Sequence, residues 1–139
     1  MMLFIPQTIY TLFFFLSVDM YKDKIIVGLI EKIIIRNGEE HTNIEARIDT
    51  GATKSSIDIN LAGKLKLGPI VKTMMVKSAH GKRVRPVIHV EVELAGKRIQ
   101  TEFTLADRGH MRYPVLIGQD ILKEGFIIDP NFERGKTHA

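Results

Sequence analysis

From Lys24 onward the chain is divided into short apolar runs, several of them alternating with polar residues, by Gly, Asn and Pro at intervals of roughly 8–12 residues. Such spacing leaves no stretch for a long helix and constrains the chain to an all-β domain. Ile25 to Ile35 is dense in Ile and leads into Asn37-Gly38, a tight-turn dipeptide because both residues tolerate positive φ. In Asn43 to Asp49, Ile44, Ala46 and Ile48 alternate with Glu45, Arg47 and Asp49, which buries one face and leaves Asp49 at the strand's end. Leu61 to Leu67 has mixed spacing and reads as a helical turn or an irregular link before Gly68-Pro69. Val71 to Ser78 and Arg83 to Leu94 form a hairpin with Ala79-His80-Gly81-Lys82 at its tip, and Ala95-Gly96-Lys97 turns the chain into Ile99 to Leu105. Val115-Leu116-Ile117-Gly118 reads as a short strand buried on both faces. Gln119 to Glu124 comes next as one or two helical turns stopped by Gly125, and Phe126 to Ile128 as the last strand. The tail from Asn131 is polar and is expected to fray.

Composition narrows the chemistry. With 139 residues, 45% hydrophobic and 26% charged, the chain has the make-up of one globular domain. It has no Cys, which removes disulfide frameworks, Cys-based zinc sites, iron–sulfur clusters and thiol nucleophiles together. A net charge of +4 permits an anionic partner without demanding one. Residues 1–18 carry no charge and differ sharply from the rest of the chain beyond Asp19. They lack the basic start of a signal peptide, and Pro6, Gln7, Thr8 and Thr11 interrupt them as a spanning helix. Three readings stay open: a non-native start with Met20 as the real one, a membrane anchor or poor signal, or a structured extension. The expected division is an apolar extension over 1–23, a folded domain over 24–130 and a polar tail over 131–139. A start at Met20 makes the protein cytoplasmic, and membrane contact is expected only if residues 1–18 act as an anchor.

The feature with chemical content is Asp49-Thr50-Gly51-Ala52 at the end of an alternating strand, joined much later in the chain by Val115-Leu116-Ile117-Gly118 and a short helical segment. This pairing resembles the retropepsin-like aspartic peptidases, whose mark is an Asp-Thr/Ser-Gly-Ala loop and a later apolar run ending in Gly that threads beside it. The resemblance is closest to the small prokaryotic members often labelled ATP-dependent zinc proteases and associated with ATP-grasp ligases that add glutamate to ribosomal proteins. It is carried by Arg47 to Ser56, by Val76 to Ile88 with Ser78, Gly81, Arg85 and Pro86, by Thr104 to Met111 with Leu105, Asp107 and Arg108, and by Pro114 to Pro130. It implies a single-lobe closed β-barrel with one short C-terminal helix. It implies Asp49 as the catalytic carboxyl, Thr50, Gly51 and Ala52 as the active-site loop, and Leu116, Ile117 and Gly118 as the structural second motif.

These residue types suit amide hydrolysis on their own terms. Two carboxyls at close range cannot both ionise, so they share one proton; one then activates water while the other donates to the carbonyl oxygen or the leaving nitrogen. Gly51 lets backbone approach substrate, the Thr50 hydroxyl can hold the loop, and Ala52 leaves room. The chain supplies one Asp-Thr-Gly, so a working dyad needs Asp49 from each of two chains and hence a homodimer. Asp58, Asp107, Asp120 and Asp129 lie in no comparable loop; Asp107 is expected to pair with or turn beside Arg108, and Asp120 to cap or decorate the short helix.

The hairpin tip from Ala79 to Arg83 is expected to close over a bound peptide as a flap. Two departures from the family pattern matter: His80-Gly81-Lys82 replaces a Gly-rich flap, and Gln119 stands where relatives carry Arg, which removes an ion-pair anchor near the dimer centre. Between Asp58 and Glu91 there is no acidic residue and there are seven basic ones. Lys77, His80, Gly81, Arg83 and Arg85 are the expected substrate contacts, and a positive groove favours an acidic, polyglutamate-like peptide. The expected partners are a peptide or protein substrate, a second copy, and an ATP-grasp glutamate ligase. No cofactor and no metal are expected, since His41, His80, His89, His110 and His138 are scattered and no phosphate-binding loop occurs. Ser55, Ser56 and Ser78 lack the setting of a serine nucleophile. Nucleic acid is not expected, because exposed aromatics that could stack bases are missing. The alternative reading is a non-catalytic peptide- or partner-binding barrel of the same fold.

Overall fold

A computed structural model describes residues 6–12, 21–79 and 81–136. It contains nine strands: β1 (Ile25–Val27), β2 (Ile30–Asn37), β3 (Glu40–Ile48), β4 (Ser56–Asp58), β5 (Ile70–Ser78), β6 (Gly81–Leu94), β7 (Lys97–Ala106), β8 (Val115–Ile117) and β9 (Phe126–Ile128). Two short helices, Ile59–Lys64 and Gln119–Leu122, complete the domain, one more than expected. Residues 7–12 are helical and exposed. Among the described residues no helix is long and apolar enough to cross a membrane.

Six strands run in the order β2-β3-β8-β4-β7-β6, and β6 returns to β2 through Ile34↔Glu93, Ile35↔Val92 and Arg36↔Glu91, which closes a barrel. Closure removes the open sheet edge that an isolated strand row would present. The interior is filled by the alternating apolar faces read from the sequence: Ile33, Ile35, Ala46, Ile48, Val90, Val92, Phe103 and Leu105 all belong to one buried cluster. The apolar run Val115–Ile117 enters between β3 and β4, parallel to the first and antiparallel to the second. Its ends are buried while Leu116 is half-buried, so this strand is sealed on one face only.

Four local expectations change. The Ile-rich start is two strands, because at Gly28 a Cβ would lie 2.2 Å from the Phe132 carbonyl oxygen and the chain must bend around it. The turn after β2 is made by Gly38 and Glu39; Asn37 instead pairs within the ladder and its amide donates to the carbonyls of Leu65 and Lys66 at 3.0 and 3.1 Å. The mixed segment around Leu61 is helical and starts earlier, at Ile59, with Asp58 accepting the Leu61 N–H at 3.2 Å as its cap. The tail does not fray over its described part. Arg134 Nε donates to the buried Glu31 carboxylate at 2.9 Å and its Nη2 to the Ile26 carbonyl at 2.7 Å. Glu31 also accepts the Gly28 N–H at 3.0 Å, so a carboxylate inside the fold is held from two sides.

Candidate active site

The strand β3 ends at Ile48, and the next four residues form the loop that carries Asp49. Asp49 is half-buried, its N–H donating to the Ile117 carbonyl at 2.9 Å, and its Oδ1 accepts the Gly51 N–H at 2.8 Å. The carboxylate is therefore fixed by its own loop and the loop is fixed by β8. The backbone of Gln119 donates to Ala52 O at 2.8 Å and that of Asp120 to Thr53 O at 3.2 Å. Gly118 makes this possible: a Cβ there would lie 2.7 Å from the Ala52 oxygen and 2.9 Å from the Lys54 carbonyl atoms, so only glycine admits the loop this close. The buried Ser55 completes the junction. Its hydroxyl accepts the Gly118 N–H at 2.9 Å and donates to Asp120 Oδ1 at 2.7 Å, while its own N–H donates to the same carboxylate at 3.1 Å. Asp120 thus braces the loop from the first turn of the helix; it does not cap that helix, whose N-cap is Gly118 with no side-chain hydrogen bond.

Gln119 has an anchoring role of its own. Its Nε2 donates to the Thr50 carbonyl at 2.7 Å, so the position that lacks the expected guanidinium still holds the active-site loop. Of the pairing or turn expected at Asp107 and Arg108 the turn is present, closed by the Met111 N–H donating to the Arg108 carbonyl at 2.9 Å, whereas Asp107 lies 4.0 Å from His110 and Arg108 is half-buried. Its N–H donates to Asp58 Oδ1 at 2.8 Å and its Nε to the Tyr113 carbonyl at 3.2 Å.

A groove of about 520 Å³ runs between this loop and the β5–β6 hairpin. Gly51, Ala52 and Thr53 form one side of it, Met74 to Lys77 the other, and Arg85, Arg108 and Leu116 also line it. No acidic residue lines it, whereas four cations do: Lys54, Lys77, Arg85 and Arg108. Burial holds the Arg108 guanidinium below its ordinary range, and Arg85 and Arg47 push the same way, while Asp49 and Asp58 oppose them. Arg108 therefore feels charges of both signs, though it stays protonated near neutral pH. A larger groove of about 700 Å³ lies along β2 and the tail, away from Asp49. Among the described residues no three His, Asp or Glu side chains gather where they could hold a metal ion.

The profile of the RimB-like family, described as the retropepsin-like aspartic endopeptidase RimB, matches residues 62–137, more than half of the chain. The chain belongs to this RimB-like family. The matched stretch holds the hairpin, β8, the second helix and the tail, and the Asp49 loop precedes it. Three solved structures resemble the RimB-like chain in fold. The EIAV protease complexed with the inhibitor HBY-793 is 22% identical, with a TM-score of 0.57 over 68% of this chain and 85% of its own. The Legionella pneumophila protein Lpg0085, of unknown function, is 23% identical, with a TM-score of 0.55 over 77% and 94%. The simian foamy virus protease is 19% identical, with a TM-score of 0.50 over 68% and 91%. No curated protein matches by sequence.

Within the RimB-like barrel the residues expected from the sequence separate into groups. Gly51, Ala52, Lys77, Arg85 and Leu116 meet at the groove. Ile117 and Gly118 lie beneath the Asp49 loop and hold it. Arg83 lies further out, opposite Val76 and exposed, and does not line the groove. Gly81 opens β6 at the hairpin tip, and His80 lies outside the described residues. Two contributors escaped the sequence reading. Lys54 is hidden by its ordinary loop setting, and Arg108 by the adjacent Asp107, which offered a nearer partner; that Arg108 alone is half-buried within the otherwise exposed stretch 107–112 is a tertiary property.

Proposed function

We propose that this RimB-like protein is an aspartic endopeptidase that acts as a homodimer and cuts peptide bonds in extended, acidic, polyglutamate-like segments. The observation that carries the reading is the Asp49 loop, clamped on β8 and the Gln119–Leu122 helix, whose residues Gly51 to Thr53 line one side of a groove that four cations also line. In the proposed reaction the Asp49 carboxyls of two protomers share one proton across a two-fold axis. The ionised carboxyl takes a proton from water, whose oxygen attacks the scissile carbonyl. The protonated carboxyl donates to the carbonyl oxygen, and the tetrahedral adduct collapses as the leaving nitrogen is protonated. Thr50, Gly51 and Ala52 shape the loop, and Lys77, Gly81, Arg83 and Arg85, with His80, are the proposed flap contacts. An extended substrate would add its backbone to the hairpin in the manner of an extra strand. The proposed setting is the cytoplasm, with an ATP-grasp glutamate ligase as the partner that makes the substrate.

The test is cleavage of a glutamate-tailed peptide and of a mixed peptide library, read by mass spectrometry from pH 4 to 8. Wild type should cut and Asp49→Asn should not. Adding excess Asp49→Asn protein to wild type should suppress activity, because mixed dimers carry one competent carboxyl. Cleavage that survives Asp49→Asn sinks the mechanism, and peptide binding without any cleavage returns the protein to a binding module.

A further inference from the structure

The cations of the groove are not equivalent. Lys54 lies 3.9 Å from Glu102, so part of its charge is already answered. Lys77 is exposed near the hairpin tip, where solvent screens it. Arg85 and Arg108 are half-buried, line the groove, and have no carboxylate within ion-pair distance among the described residues. Arg108 is also the better held of the two. One edge of its guanidinium is tied down through Nε to the Tyr113 carbonyl, and its backbone is tied to Asp58. Its two Nη groups make no hydrogen bond to a described residue.

Like charges held together under partial burial cost free energy, and among the described residues no ion pair offsets that cost at Arg85 or Arg108. A planar guanidinium fixed along one edge presents the other as a ready fork for a carboxylate, where a lysine would offer only a point charge. Asp49 contributes the only acidic charge of its loop, and it is not among the lining residues, which begin two positions later at Gly51. We propose that Arg108, supported by Arg85, is the specificity-determining residue of the groove and binds a carboxylate of the substrate beside the bond to be cut. This rests on the peptidase reading for its setting and reaches beyond it, because it assigns acidic preference to one fixed side chain instead of to the diffuse charge of the flap. The carboxylate belongs either to a glutamate side chain or to the substrate's C-terminus, and both present the same two oxygens.

The experiment separates binding from cleavage. Full-length Asp49→Asn protein is titrated with fluorescein-labelled peptides that differ only in Glu or Gln across the central positions, each with a free or an amidated C-terminus, and anisotropy is read. The parent should bind a carboxylate-bearing peptide at least tenfold more tightly than its neutral counterpart. Adding Arg108→Gln should bring that ratio close to one, Arg85→Gln should lower it less, and Arg108→Lys should restore only part of it. A preference that tracks Glu over Gln names the side chain, and one that tracks the free over the amidated end names the C-terminus. A ratio unchanged by Arg108→Gln, or a parent with no preference, overturns the proposal. Should Arg108→Gln lose its circular dichroism, Arg108→Lys decides, since an undiminished ratio there also overturns it. Cleavage by wild type without any acidic preference leaves the peptidase standing and removes this inference, whereas a preference lost with Arg108 in a protein that never cuts does the reverse.

Discussion

The Ser55 hydroxyl donates to Asp120 Oδ1 at 2.7 Å across 65 residues of sequence, one of the contacts that bind the end of the Asp49 loop to the helix after β8. The same carboxylate accepts the Ser55 N–H, and the same hydroxyl accepts the Gly118 N–H. Ser55 is fully buried, so water cannot replace what a mutation removes. Asp120→Ala should therefore cost about 1–3 kcal/mol of stability, the penalty for stranding buried donors, measured by urea unfolding. Asp120→Asn keeps an acceptor and should cost less. Equal losses for the two would show that the network does not brace the loop.

Gly118→Ala is a sharper probe of the same junction. Its methyl would sit 2.7 Å from the Ala52 oxygen, against backbone that has no rotamer in which to retreat. The expected result is a loss of about 1–3 kcal/mol from overpacking, accompanied by loss of peptide cleavage as Asp49 is displaced. Alanine at the exposed Gly63, which has open space around it, serves as the control and should leave both nearly unchanged.

These two elements also show how far the sequence could be read. Asp49 at the end of an alternating strand, and an apolar run closing in Gly118, are local patterns, and both appear where their periodicity puts them. The barrel strands were legible for the same reason, since alternation states which face is buried before the partner strand is known. The features that could not be read depend on partners distant in the chain. Asp120 looks like helix decoration until Ser55 is beside it, and Arg108 looks paired with Asp107 until the chain turns it toward Tyr113 and the groove. The tail looked frayed because it is polar, and polarity does not reveal that Arg134 meets a buried Glu31.

The tail contact carries its own prediction. Arg134→Ala removes both hydrogen bonds to Glu31 and leaves that carboxylate with the Gly28 N–H alone. Because Arg134 is partly exposed, the expected loss is about 1–3 kcal/mol rather than the larger cost of breaking a fully buried pair. Deleting residues 131–139 should cost at least as much. Unchanged melting of both variants would return the tail to the frayed state first expected of it.

Glu102 brings a pH effect. This β7 carboxylate receives Lys72 of β5 at 2.9 Å and lies 3.9 Å from Lys54 at the end of the Asp49 loop. The hydrogen bond from Lys72 chiefly holds its pKa below the ordinary carboxylate value, burial opposes, and the charges of Lys72, Lys54 and His89 assist. A depressed folded-state value means that the stabilisation is complete above the unfolded value of about 4.3 and is lost as pH falls through the folded one. Wild type minus Glu102→Gln should therefore show a stability difference at pH 6 that shrinks toward pH 3. Its size should stay below about 1 kcal/mol, since the pair is partly solvated. A difference that grows on acidification would contradict the assignment.

The strand β6 belongs to two bodies at once. Val87 to Leu94 are laddered to β7, whereas Gly81 to Arg85 are laddered to β5, and Pro86 stands where the ladder to β7 gives out. Proline has no N–H to lose there, so the wall ends at that residue without an orphaned donor. The hairpin is thus an arm that leaves the barrel wall at Pro86 and is continuous with the segment Glu91 to Glu93 that zips the barrel shut against β2. The tip and the seam of the barrel are therefore parts of one unbroken strand, so that a displacement of either is a displacement of the same backbone.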